Sequence, residues 1–305
     1  MCLVVLGRHI PQFKLFDILF GDEPVLSAHA RLYQRLLAGD TVETLARAAE
    51  ALETSYLAEY YRDVGIPALL LAQDDFDRGI LTYSQEAQLA ALAATLVGDL
   101  AEVAQEELAE ARQLALDPVV PSVEENAEKS GPMTNAALDG VGYKVVLLGA
   151  RSALDDVVAA MLGQIMVADG AEVSQLSYAD LAPSQFAALK SVDAQCVILN
   201  FLDPNPSRAS LLHIRRIKRA APHLRVGVVI WQMSADLALG EDAGHRIMTI
   251  APEKRREAEE IGADFVVTDA EQAMTAAFSD EAPVPLVEDR KKPARSTPQR
   301  RSVAA

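Results

Sequence analysis

The stretch Tyr143–Leu162, YKVVLLGARSALDDVVAAML, constrains this chain more than any other. A short, almost wholly apolar run passes through Gly149-Ala150-Arg151-Ser152 into a segment with helical spacing. Runs of that length bounded by turn residues suit a buried strand, and the longer periodic segment suits a helix packed back on it. The same rhythm continues downstream. Strand-like runs fall at Lys144–Leu148, Glu172–Leu176, Gln195–Phe201, Arg225–Trp231 and Asp264–Thr268. Helical runs fall at about Leu154–Ala168, Ser184–Lys190, Arg208–Ala221, Glu253–Ile261 and Ala270–Phe278. Strands that read as near-continuous apolar runs belong to a parallel sheet covered on both faces.

Upstream the period is helical throughout. Residues 28–38 form a first helix with Leu32, Tyr33 and Leu36 at core spacing, and Gly39-Asp40 ends it and caps the next. The second runs over Thr41–Glu53. The third covers about Tyr56–Arg78, with Gly65 and Pro67 marking a kink or break. Thr82-Tyr83-Ser84-Gln85 has the spacing of a capping box and opens a fourth helix reaching about Leu116. The expected fold class is therefore α plus α/β: an N-terminal four-helix bundle followed by a flavodoxin-like five-stranded parallel sheet of order 2-1-3-4-5. The expected divisions are a connecting arm at 1–27, the bundle at 28–116, a linker at 117–142, the α/β domain at 143–279 and a disordered basic tail at 280–305.

Charge excludes some functions. The chain of 305 residues carries 28 Lys and Arg against 44 Asp and Glu, a net −16. Six of the basic residues lie in 290–305, which leaves 22 against 44, or −22, elsewhere. Such a surface repels nucleic acid, so no nucleic-acid partner is expected. The tail RKKPARSTPQRR instead suits an anionic membrane surface. No apolar run approaches the roughly 20 residues that span a bilayer. The two cysteines, Cys2 and Cys196, make no metal or redox spacing, and the five histidines make no His-x-His or i, i+4 pair. A cytoplasmic setting, at the inner face of a membrane if the tail binds one, is the expectation.

The candidate ligand residues are those that the rhythm places at strand ends: Ser152, Asn200, Asp203 and Ser234. Each has a plain structural alternative. Ser152-Ala153-Leu154-Asp155 is also a capping box, and Asp155-Asp156 would repel an anion. LNFLDPNPSR, carrying Asn200 and Asp203, is also a rigid turn. A phosphoacceptor receiver is excluded, because the places of its acidic pair, aspartate and lysine read Gly149-Ala150, Asn200 and Thr268. Helix 208–221 is expected to turn Leu211, Ile214 and Ile217 to the sheet, with Arg208, Arg215, Arg216, Lys218 and Arg219 pointing elsewhere.

With LLAGD, IPALLLAQDD and the fourth helix quoted, the two-domain plan resembles the cobalamin-binding module with its helical cap. The signature of that module is absent. No histidine occurs between His29 and His213 to ligate cobalt, Asn200-Phe201-Leu202 replaces Ser-x-Leu, and Ile230-Trp231 stands where Gly-Gly leaves room for the nucleotide tail. No cofactor is therefore expected. A second resemblance rests on VVLGRHIPQFKLFDILFGDEPVLS, YQRLLAGD, VGIPALLLAQDDFDRG and CVILNFLD. These segments resemble the cytosolic C-terminal region of bacterial autoinducer-2 exporter (permease) family transporters. The resemblance implies a non-enzymatic accessory or regulatory region related to a membrane exporter, without its own pore: either a detached tail or part of a longer transporter. The alternative is a stand-alone small-ligand-binding or sensory protein on a degenerate cobalamin-type fold, and an enzyme using Asp155, Asp156 or Asp203 as base is the least favoured.

Overall fold

The computed structural model describes residues 26–116, 140–182, 192–234, 237 and 250–286, with side chains described outside 103–116. The expected arm at 1–27, apart from its last two residues, most of the linker, the helix at Ser184–Lys190 and the tail beyond 286 lie outside the described residues.

Helix α1 (Ala28–Ala38) starts where Ser27 Oγ accepts the Ala30 N–H at 3.2 Å and ends at Gly39, whose φ of 74° is left-handed. Helix α2 (Thr41–Leu52) is capped by Asp40, which accepts the Glu43 N–H at 3.0 Å. The Glu43 carboxylate turns to Arg47 rather than back to the cap. The expected third helix is three pieces: α3 (Leu57–Tyr60), a π-helical turn (Tyr61–Gly65) and α4 (Ile66–Asp77). The break falls at Gly65 and Pro67 because proline has no N–H to give the preceding ladder. At the start of α5 (Tyr83–Leu116) the capping box forms in both directions: Gln85 N–H donates to Thr82 Oγ1 at 3.3 Å, and Thr82 N–H to Gln85 Oε1 at 3.0 Å.

The α/β part follows as β1 (Lys144–Gly149), α6 (Ala153–Ala168), β2 (Glu172–Leu176), β3 (Cys196–Phe201), α7 (Arg208–Ala220), β4 (Arg225–Ile230), α8 (Pro252–Ile261), β5 (Phe265–Val267) and α9 (Ala270–Ala277). The described strands form one parallel sheet of order β2-β1-β3-β4-β5, as expected. Register pairs Val145 with Cys196 and Asn200 with Val229. Alternate residues of each inner strand enter different cores. Val197, Leu199 and Phe201 join Leu211, Ile214 and Ile217 of α7, while Cys196 and Ile198 join α6 on the other face.

The second of those cores continues without a break into the bundle, through Tyr61, Leu69, Leu89, Leu100, Met161 and Leu162. Helix α6 is apolar on nearly all sides because the sheet covers one side and the bundle the other. Burying each such Leu or Met side chain contributes roughly 1.5–3 kcal/mol. A polar clamp fixes the register across that layer. Tyr61 Oη donates to Gln164 Oε1 at 2.6 Å, and Gln164 Nε2 donates to the Val97 carbonyl at 2.7 Å.

Two expectations are corrected at the amino edge of the sheet. Lys218 does not point outward with its basic neighbours. Its side chain is 3% exposed and its Nζ sits 2.8 Å from Asp264, because its long stem lies along the apolar face while its head reaches a partner. Residues 280–286, expected within a disordered tail, are described in place: Asp264 accepts the Val284 N–H, Lys218 donates to the Val284 carbonyl, and Arg225 bonds the Ala276 and Ser279 carbonyls at 2.8 and 2.9 Å. Tyr143 stacks on Phe278 at 5.4 Å between ring centres. His29 is 3% exposed. Among the described residues no helix is long and apolar enough to cross a membrane.

Candidate functional site

Ligands of open α/β sheets bind outside the carboxyl ends of the strands, where the order reverses. Here that point lies between β1 and β3. Three of the four candidate residues are there, and their polar atoms are bonded within the protein. Ser152 caps α6, its Oγ accepting the Asp155 N–H at 3.4 Å. Asn200 is fully buried; its Nδ2 donates to the carbonyls of Leu148 and Ile198 at 3.3 and 3.4 Å, and its Oδ1 accepts the Trp231 indole N–H at 3.1 Å. Asp203 accepts from Arg151 Nη1 at 2.5 Å and from the Asn205 N–H at 2.8 Å.

The acidic pair after β1 holds the strand ends together. Asp155 is 1% exposed and accepts the N–H groups of Leu202 and Arg151, each at 2.9 Å. Its carboxylate thus faces the Ser152 backbone, as a capping box requires, and reaches beyond it to Arg151 and the β3 loop. Burial pushes its pKa up to about 7, against the pull of those N–H groups and of Arg151. Asp156 ties β1 to the end of β2: it accepts from Ser177 Oγ at 2.6 Å, Tyr178 N–H at 2.7 Å and Gly149 N–H at 3.1 Å. That approach needs Gly149, since a Cβ there would stand 2.5 Å from the Asp156 nitrogen.

Arg151 joins this edge to the bundle, lying 3.5 Å from Asp77 of α4 as well as bonding Asp203. Glu86 of α5 faces Arg151, the Ser152 hydroxyl and the Leu154 N–H, and burial raises its pKa. Neither Arg151 nor Glu86 was singled out as a site residue from sequence. The lone basic residue between an apolar strand and an acidic helix start was the available sign for Arg151.

The fourth candidate, Ser234, lies apart from the other three. It is exposed and lines a cleft of about 260 Å³ at the carboxyl ends of β4 and β5, roofed by the bundle. Trp231, Met233, Ile66 and Ala270 form its apolar walls, and Arg62, Gln232, Thr268 and Glu271 bring polar groups. Arg62 is held by both oxygens of Asp63, at 2.7 and 2.6 Å. Trp231 is 2% exposed, its indole packed among core side chains and bonded to Asn200, so it is a fixed wall. Sequence placed Ser234 and Trp231 at a strand end. It did not reveal Arg62 or Ile66, which arrive from about 170 residues upstream. Among the described residues no group of three or more His, Cys, Asp or Glu is placed to hold a metal ion.

No family model matches the chain, and no curated protein matches it. Among solved structures, it is similar to a cobalamin-binding protein from Desulfitobacterium hafniense DCB-2, with 12% identity over 80% of this chain and 94% of that one and a TM-score of 0.29. A score that low transfers no geometry, and the fold described above stands on its own sheet order and helical layer.

Proposed function

We propose that this chain is a small-molecule-binding module whose ligand occupies the cleft between the bundle and the ends of β4 and β5. The observation that carries the reading is the cleft of about 260 Å³ at the carboxyl edge, where apolar walls meet a few polar groups. What supports binding without turnover is the state of the acidic residues. Asp155, Asp156 and Asp203 each accept two or more hydrogen bonds that tie strand ends and loops together, and none of the three lines the cleft. A protein-ligated corrin is disfavoured because no histidine stands between His29 and His213 and the fixed Trp231 indole stands where the module needs Gly-Gly.

Thermal-shift screening of the full chain against nucleotides, corrinoids and small metabolites tests this. A ligand at 100 times its dissociation constant stabilises the folded state by about 2.7 kcal/mol. The expected result is a stabilising ligand whose effect disappears in Ser234→Trp, which fills the cleft from an exposed position. A hit that persists in that variant places the ligand elsewhere and overturns the reading.

A second reading is favoured by the segments between Val4 and Ser27 and at 33–40, 64–79 and 196–203 that resemble the cytosolic region of exporter-family transporters. In it the module is an accessory or regulatory part of such a transporter, inside the cell, with the basic residues of 290–305 against the membrane. Reading the codons upstream of Met1 tests it: apolar spans in frame support it, and an unrelated neighbouring gene overturns it.

A further inference from the structure

A second cavity, of about 670 Å³, opens within the helical layer and is separate from the cleft. Its walls follow from helical spacing. Ala28, Arg31, Leu32 and Arg35 recur at i, i+3, i+4 and i+7 on one face of α1, and Thr44, Arg47 and Ala51 do so on α2. Tyr60 and Val64 close the far side. Its volume is in the range of ordinary ligand sites.

Three guanidinium groups meet there, in a chain of net −16. They are not equally engaged. Arg47 spends Nε on Glu43 at 2.9 Å and Nη1 on Glu50 at 2.7 Å. Arg35 has only a long contact to Glu43 at 3.8 Å, beyond hydrogen-bonding distance. Arg31 has no ion pair or side-chain hydrogen bond with another described residue. The Tyr60 hydroxyl likewise has none, although Tyr60 is only 6% exposed. Leu32, Ala51 and Val64 provide an apolar floor beside these donors.

We propose that this cavity binds a small amphipathic carboxylate, its head held by Arg31 and Arg35 within reach of the Tyr60 hydroxyl and its body on Leu32, Ala51 and Val64. The planar fork of an arginine matches the two oxygens of a carboxylate. Glu50 and Glu53 also line the cavity and offset part of the arginine charge, so contact of an apolar body with Leu32, Ala51 and Val64, which inorganic phosphate cannot make, favours an amphipathic acid. The site does not depend on the cleft reading, because it shares no lining residue with the cleft.

Isothermal titration of the full chain with phenylacetate and with octanoate is the test. At least one acid is expected to bind with a dissociation constant below about 1 mM. R31Q/R35Q weakens that binding about tenfold or more, since both charge-assisted forks on the carboxylate are lost. The matching amides and inorganic phosphate bind about tenfold more weakly than the acid. S234W, which blocks the cleft, leaves carboxylate binding unchanged, so failure here and failure of the cleft reading are told apart. Neither guanidinium supports the fold through a close ion pair, and an unchanged melting curve of R31Q/R35Q confirms this. Acid and amide binding alike, affinity unmoved by R31Q/R35Q, or no heat from either acid at millimolar concentration would each overturn the proposal.

Discussion

The indole N–H of Trp231 meets Asn200 Oδ1 at 3.1 Å, and with that bond the end of β4 is fastened to the end of β3 at a point where both residues are sealed from solvent. Replacing Trp231 by Phe removes the donor and leaves a buried carbonyl oxygen without a partner. A loss of about 1–3 kcal/mol is expected, read as a lowered urea midpoint at unchanged slope. The chain has one tryptophan, so its fluorescence also reports the cleft directly. A ligand against this wall is expected to change the emission, and a ligand in the helical layer is not.

At Gly149 there is no room for a methyl group, because a Cβ would come within 2.5 Å of the Asp156 nitrogen, at the N-terminal turn of α6. Gly149→Ala is expected to cost about 1–3 kcal/mol through overpacking, with loss of the Asp156 bonds to Ser177 and Tyr178. Hydrogen exchange at the Tyr178 amide, faster in the variant, checks the second part.

Asp155 gives a signed dependence on pH. Its folded-state pKa, about 7, lies above the ordinary carboxylate value, so the folded chain holds this proton more tightly than the unfolded chain does. The contribution is fully present below pH 4, declines as pH rises through about 7, and is flat above that. Its full size is of order 4 kcal/mol, from 1.36 kcal/mol for each tenfold change in proton affinity. Asp156, Asp203 and Glu86 are also raised by burial and slope the same way. Asp155→Asn is expected to flatten the fall in urea midpoint between pH 4 and 7, and a curve parallel to that of the parent would contradict the assignment.

Arg151 stands between Asp203 and Asp77, with side-chain exposures of 31%, 11% and 33%. Partial exposure screens the pair, so Arg151→Gln is expected to cost about 1–2 kcal/mol rather than the loss of a wholly buried pair. Hydrogen exchange of the Asn205 amide, bonded to Asp203, is expected to rise.

The sheet was legible because its strands carry their own sign. Runs such as Cys196–Phe201 are apolar at every position but one, and turn residues bound them. The strand order was legible too, since right-handed crossovers leave few alternatives. The short 3₁₀ turn at Tyr178–Leu181 was missed, although Ser177 and Asp180 have a capping-box spacing and form one. Side-chain roles were harder. Asn200 looks like a ligand residue from its strand-end position and Asp155 like part of a helix cap, and only the fold shows their partners, 31 and 47 residues away, already in hydrogen bonds. Lys218 misled for a related reason: helical spacing assigns a face but not the reach of a long side chain toward Asp264.

The anchoring of residues 279–286 beneath the sheet bears on orientation. Asp264, Lys218 and Arg225 hold that segment at the amino ends of β4 and β5, and the cleft opens at their carboxyl ends. A strand of six residues such as β4 separates the two by about 20 Å. The anchored segment and the mouth of the cleft thus lie at opposite edges of the sheet, and a solute reaches the cleft without passing residues 279–286.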